Sequence, residues 1–185
     1  MFNDELSLLG LKYGTDKGTK HTYTPYYFEL LKERKYIIKK VLEIGTAEGA
    51  SLFMWRDFFP NATIYGAEID PARVALMEGQ ERIKVIKCDQ TSEKDLKNII
   101  SYTGTDIDLI IDDGSHIVKD QIFTCKTLVP IFQKHLIYII EDVQLWHTVT
   151  KHLTEFDVEV PELIKTRKRR RDNHLIVVRQ KPWEK

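Results

Sequence analysis

Two apolar runs constrain the fold more than anything else in this chain: Asp108-Leu109-Ile110-Ile111 and Leu136-Ile137-Tyr138-Ile139-Ile140. Both are apolar on each alternating face, the pattern of central strands in a parallel sheet covered by helices on both sides. Around them, strand-like runs at 40–45, 62–68, 83–88, 107–112 and 136–141 alternate with helical patterns at about 49–58, 71–80, 92–102, 117–133 and 144–153. Strand–helix alternation with short connections predicts a doubly wound α/β fold with right-handed crossovers. The end breaks the rhythm. Residues 155–164 and 173–180 read as two strands with no helix between them, an antiparallel hairpin around the basic run 165–171. Pro161 places the first of these at a sheet edge or ends it early.

Ahead of the first strand, 2–10 reads as a short helix carrying Leu6, Leu8 and Leu9, followed by a polar turn with Gly14 and Gly18. A further helix is expected from Thr24, with Thr24 as N-cap and Pro25 at the first helical position. No repeat or linker divides the 185 residues, so one domain over 1–185 is expected, with a helical cap over 1–35 and the α/β core over 36–185. The formal net charge is zero, which argues against a broad nucleic-acid or membrane-binding face. Cys88 and Cys125 have no metal-like spacing and read as small buried hydrophobes of a reducing compartment. The start shows no basic region leading into an apolar one, and no run nears the ~20 apolar residues of a membrane helix, so a cytoplasmic protein is expected.

The stretch Val41-Leu42-Glu43-Ile44-Gly45-Thr46-Ala47-Glu48-Gly49-Ala50 is a strand, a small-residue loop and a helix start. Such an element marks the ligand crevice at the carboxyl ends of the strands. Its glycines do not make Gly-x-Gly-x-x-Gly, and no Gly-Lys-Ser/Thr follows, so dinucleotides and ATP fit poorly. Glu68 closes the second strand 23 residues after Gly45, close to the ~20-residue offset of a carboxylate that holds ribose hydroxyls. Asp70 with Pro71 reads as a helix start, and Asp89 and Gln90 close the third strand, where they can meet an adenine edge or cap a loop.

Asp112-Asp113-Gly114-Ser115-His116 ends one central strand and Glu141-Asp142 another. Adjacent strands would bring Asp113, Glu141 and Asp142 together, and three such carboxylates stay ionised only beside a cation. An oxygen-only set suits Mg²⁺ or Mn²⁺. His116 would stand beside the ion as a general base. The segment 13–26, with Thr15, Asp16, Lys17, His21, Tyr23 and Tyr26, reads either as a loop over cofactor and acceptor or as a solvated turn before a helix. Trp146 and His147 are expected at the acceptor pocket, whereas Trp55 and Phe58-Phe59 are expected to pack the first crossover helix. The basic run 165–171 is either a phosphate-binding footprint or a charged hairpin turn.

With these residues in place, the chain resembles the class I S-adenosylmethionine-dependent methyltransferases. The resemblance rests on Glu43-Ile44-Gly45-Thr46-Ala47-Glu48-Gly49, Glu68, Asp89-Gln90 and the terminal hairpin of a seven-stranded, Rossmann-like sheet. Through Tyr13-Gly14-Thr15-Asp16-Lys17-Gly18, Asp112-Asp113-Gly114-Ser115-His116 and Glu141-Asp142-Val143 it is similar to the metal-dependent O-methyltransferases of sugars, macrolides and other natural products, and to a cephalosporin-biosynthesis protein. The resemblance implies a cofactor set of Glu43, Gly45, Thr46, Ala47, Gly49, Ser51, Glu68, Ile69, Asp89, Gln90 and Asp112, with Asp16 and Lys17 closing over it. It implies Asp113, Glu141 and Asp142 as metal ligands, His116 with Asp113 as catalytic residues, and an oligomer as a common assembly. The expected activity is transfer of a methyl group to a hydroxyl of a sugar or related small molecule, with no membrane partner. The alternatives are an RNA ribose methyltransferase using 165–171, and a non-catalytic S-adenosylmethionine-binding protein.

Overall fold

The computed structural model describes residues 3–164 and 173–181; the basic run 165–171, expected as a hairpin turn or a phosphate-binding footprint, lies outside the described residues. Seven strands form one sheet in the order β3-β2-β1-β4-β5-β7-β6. These are β1 (Lys40–Ile44), β2 (Thr63–Glu68), β3 (Ile83–Lys87), β4 (Leu109–Asp112), β5 (Ile137–Ile140), β6 (Asp157–Glu159) and β7 (Ile176–Arg179). β1 to β5 pair in parallel, while β7 runs antiparallel to both β5 and β6. This is the expected Rossmann-like sheet with its antiparallel end. β6 stops at Glu159, two residues before Pro161, which has no N–H to continue a ladder.

The helices are α1 (Glu5–Tyr13), α2 (Asp16–Thr19), α3 (Tyr23–Leu31), α4 (Ala50–Phe58), α5 (Pro71–Leu76), α6 (Glu93–Thr103), α7 (Val118–Leu128) and α8 (Trp146–Lys151). Strand alternation divides the core in two. Leu42, Ile110, Tyr138 and Ile140 point to one face, where Leu96, Ile99, Leu128 and Val149 of α6, α7 and α8 cover them. Val41, Leu109, Ile111 and Ile139 point to the other, under Leu6, Tyr23, Tyr27 and Trp55 of α1, α3 and α4. Trp55 and Phe59 stack there, as expected for the first crossover helix.

The N-terminal segment differs from expectation in a way that matters. α1 runs from Glu5 to Tyr13, capped by Asp4, and α3 begins at Tyr23 rather than after Thr24. Thr24 is therefore not a cap. It is fully buried within the first turn, where its hydroxyl accepts from Ser7 Oγ at 2.9 Å. That shift turns the aromatic residues of α3 toward the sheet and lays the turn before it, with α2, across the carboxyl ends of the strands. α7 also ends at Leu128, short of 133.

Candidate active site

The strand order reverses direction between β1 and β4, and ligands of open α/β sheets bind at that switch point. A cleft of about 430 Å³ opens there. Gly45 (φ +80°) follows β1, and a Cβ on it would meet the Asp113 carbonyl oxygen at 2.3 Å. The glycine is required for two strand ends to close on each other, so its role is packing as well as ligand access. Gly49 (φ +84°) starts α4 beneath Met77, whose sulfur would lie 2.5 Å from a Cβ, and it does not line the cleft.

Glu68 lines the cleft from the end of β2. One carboxylate oxygen accepts from Thr46 N (3.1 Å) and Ala47 N (2.9 Å), the other from Asp70 N (3.0 Å). It thereby stitches the β1 loop to the β2 loop and fixes the shape of the crevice. Ala47 takes φ +45° in that loop. Ile69, Asp89, Gln90 and Asp16 also line the cleft. Gln90 is tied from both ends: its Oε1 accepts from Ser115 N at 2.6 Å and its Nε2 donates to Asp112 Oδ1 at 3.2 Å.

Other expected cofactor residues lie elsewhere. Glu43 shares the strand face of Val41, so it points under α4, where Trp55 Nε1 donates to it at 3.1 Å. Ser51 bonds to Glu43 from the first turn of α4, and burial holds the Glu43 pKa above the usual range. Thr46 is buried and contributes its backbone N–H to Glu68. Asp112 faces the opposite core, where Tyr138 Oη donates to it at 2.8 Å and burial pushes its pKa up to about 6. None of these four side chains borders the cleft, because each sits one alternation step or one layer below it. Trp146 packs on the α7–α8 core and, with His147, lies outside the cleft lining.

Lys17 is the largest departure. It is only 1% exposed, and its ammonium lies 2.6 Å from Asp113 Oδ2, 2.7 Å from Glu141 Oε2 and 3.0 Å from Glu43 Oε1. Burial alone would lower its pKa, but these carboxylates hold it well above the usual lysine range. Lys17 is thus an internal counter-ion beneath the strand ends, not a lid charge over a cofactor. Glu141 is likewise buried, bonded to Lys17 and to the Tyr27 hydroxyl. Burial drives its pKa well up, against the pull of Lys17.

The expected set Asp113, Glu141 and Asp142 is therefore rearranged. Donor atoms of Asp113, His116 and Asp142 lie within 4.8 Å of one another, and Glu141 is not part of that group. All three line the cleft. His116 (φ +56°) and Asp142 (φ +53°) both hold left-handed backbone conformations that aim their side chains inward. Such strain in non-glycine residues concentrates at functional sites. The Asp113 and Asp142 carboxylates fit a hard divalent ion such as Mg²⁺ or Mn²⁺, with His116 beside it, since the one ammonium near them, Lys17, is shared between Asp113 and the buried Glu43 and Glu141. Tyr23, named in the sequence within the segment 13–26, donates its hydroxyl to Asp142 Oδ1 at 2.7 Å, whereas sequence reasoning missed the buried partner Tyr27, bonded to Glu141. The tyrosine spacing of four residues, one helical face, was the available signal.

No protein-family model matches the chain. Over 147 residues it is 33% identical to an 8-demethyl-8-alpha-L-rhamnosyl tetracenomycin-C 2'-O-methyltransferase of Streptomyces olivaceus, covering 75% of this chain and 38% of that protein. Over 148 residues it is 35% identical to the mycinamicin VI 2''-O-methyltransferase of Micromonospora griseorubida, covering 75% of this chain and 36% of the relative. The chain thus spans less than two-fifths of the length of these relatives. Among solved structures, the MycE methyltransferase of the mycinamycin biosynthetic pathway, in complex with Mg, SAH and mycinamycin VI, superposes with a TM-score of 0.76 at 27% identity. That match covers 96% of this chain and 54% of the other. The chain has the class I S-adenosylmethionine-dependent methyltransferase fold, and its relatives are sugar and macrolide O-methyltransferases.

Proposed function

We propose that this chain is an S-adenosylmethionine-dependent, Mg²⁺- or Mn²⁺-dependent O-methyltransferase acting on a hydroxyl of a sugar carried by a natural product. The observation that carries the reading is the convergence of Asp113, His116 and Asp142 in the switch-point cleft that Glu68 and Asp89 also line. When bound, S-adenosylmethionine supplies the methyl group, and the divalent ion lowers the pKa of the acceptor hydroxyl.

The chain's own residues then have distinct tasks. The Glu68 carboxylate, fixed by three backbone N–H groups, would hold the ribose hydroxyls, and Asp89 with Gln90, which line the same cleft, would border the adenine. Asp113 and Asp142 would hold the ion, and Asp16 lines the cleft from the cap side. His116, 38% exposed and 3.9 Å from Asp113 Oδ1, accepts the acceptor's proton at a ring nitrogen. With donor and acceptor bound, the acceptor oxygen would take the methyl group as the carbon–sulfur bond breaks, leaving S-adenosylhomocysteine. Alignment within the cleft supplies much of the acceleration. No helix among the described residues is long and apolar enough to cross a membrane.

The test is methyl transfer from S-adenosylmethionine to a panel of desmethyl glycosides that includes mycinamicin VI, followed by mass spectrometry. Transfer that requires Mg²⁺ or Mn²⁺ supports the reading. Undiminished transfer in excess EDTA removes the metal from it, and S-adenosylhomocysteine binding with no transfer to any glycoside removes the acceptor class.

A further inference from the structure

The carboxylates of the candidate metal site are not held by their own loops. Asp142 Oδ1 accepts from the Tyr23 hydroxyl at 2.7 Å, and His21 Nε2 lies 3.4 Å from the same oxygen. His21 is itself set in place: its ring stacks on Tyr23 with centroids 4.7 Å apart, and its Nδ1 lies 3.2 Å from Asn173 Oδ1. Asp113 is gripped in the same way, with Oδ2 2.6 Å from Lys17 Nζ while Oδ1 is on the side of His116. In both residues one oxygen is tied to a buried side chain from 17–23, and the other oxygen has no partner of that kind among the contacts described.

We propose that Tyr23, with His21, is a positioning residue of the metal site: it locks one oxygen of Asp142 so that the other is presented to the divalent ion. The proposal rests on the metal reading above. The physical case is that two neighbouring carboxylates repel each other and rotate apart unless something fixes their torsions. Asp142 already carries a strained backbone, φ +53°, so its side-chain direction depends on what grips it. A buried hydroxyl donates to a carboxylate without adding charge, so it sets orientation and leaves the attraction for a cation intact. Residues that orient metal ligands in this way commonly change metal affinity ten- to a hundredfold when removed, the ~10–100-fold range of such partners.

The experiment is Mn²⁺ titration of the metal-free protein, followed by electron paramagnetic resonance, without S-adenosylmethionine. Tyr23→Phe removes only the donor, and we expect Mn²⁺ affinity to fall about tenfold while circular dichroism stays that of the wild type. His21→Gln, at the other group facing the same oxygen, is expected to weaken Mn²⁺ in the same direction. Tyr27→Phe is the control, because Tyr27 is as buried on the same helix but donates to Glu141, outside the group of three. Its Mn²⁺ affinity should match the wild type. Equal affinity in Tyr23→Phe and wild type overturns the positioning role alone. A loss as large in Tyr27→Phe overturns it too, since the cap would then act only by general rigidity. A wild-type protein that binds no Mn²⁺ overturns both this role and the metal reading.

Discussion

Lys17 Nζ and Glu141 Oε2 lie 2.7 Å apart with both side chains 1% exposed, at the bottom of a cluster that also contains Glu43 and Asp113. A single ammonium thus stands against three carboxylates under the carboxyl ends of β1, β4 and β5. Removing one partner of a buried pair leaves charge with neither water nor counter-ion. Lys17→Met is therefore expected to destabilise the protein by about 3–5 kcal/mol in urea unfolding. A loss below about 1 kcal/mol would mean that water reaches the cluster.

His116 sits at the surface of the cleft and packs against no core, so its removal should leave stability nearly unchanged. His116→Ala is expected to lower kcat about 10²–10⁴-fold, the usual contribution of general acid–base catalysis. S-adenosylhomocysteine binding should persist. A variant with wild-type kcat would remove His116 from the mechanism.

Glu68→Gln replaces a carboxylate that accepts three backbone N–H groups. The amide keeps one acceptor oxygen and turns a donor toward one side of that set. S-adenosylhomocysteine affinity is expected to fall at least about tenfold by calorimetry, the equivalent of one weakened charge-assisted hydrogen bond. Unaltered affinity would place the ribose elsewhere.

Asp57 offers a test away from the site. Burial works to raise its pKa, but hydrogen bonds from Tyr13, Lys12 and Arg56 outweigh it and lower the pKa from 3.8 to about 2. A lowered carboxylate pKa contributes stability that is present above the unfolded value and lost as pH falls through the folded one. The contribution, up to about 2 kcal/mol, should disappear between roughly pH 4 and pH 2. Asp57→Asn should lose it already at pH 7 and show a flatter unfolding profile over that window. Parallel profiles for the two proteins would contradict the assignment.

The α/β order, the parallel centre and the antiparallel end were legible in the sequence because strand-length apolar runs, and two strand-like runs at 155–164 and 173–180 with no helical pattern between them, are local signals. Gly45, Glu68, Asp89, Asp113, His116 and Asp142 line the cleft for a related reason: each closes a strand or lies within four residues of its end, and a parallel sheet gathers its strand ends on one edge. What the sequence alone could not decide is which side of that edge a side chain takes. Glu43 and Asp112 fall on opposite faces of the sheet by alternation and end in the two cores. Lys17 and Glu141 read as a charge closing over the cofactor and a metal ligand, yet they meet 124 positions apart in the interior. Only the packing of the N-terminal cap on the sheet brings them together. Charge pairing of that kind depends on three-dimensional distance, which no local pattern carries.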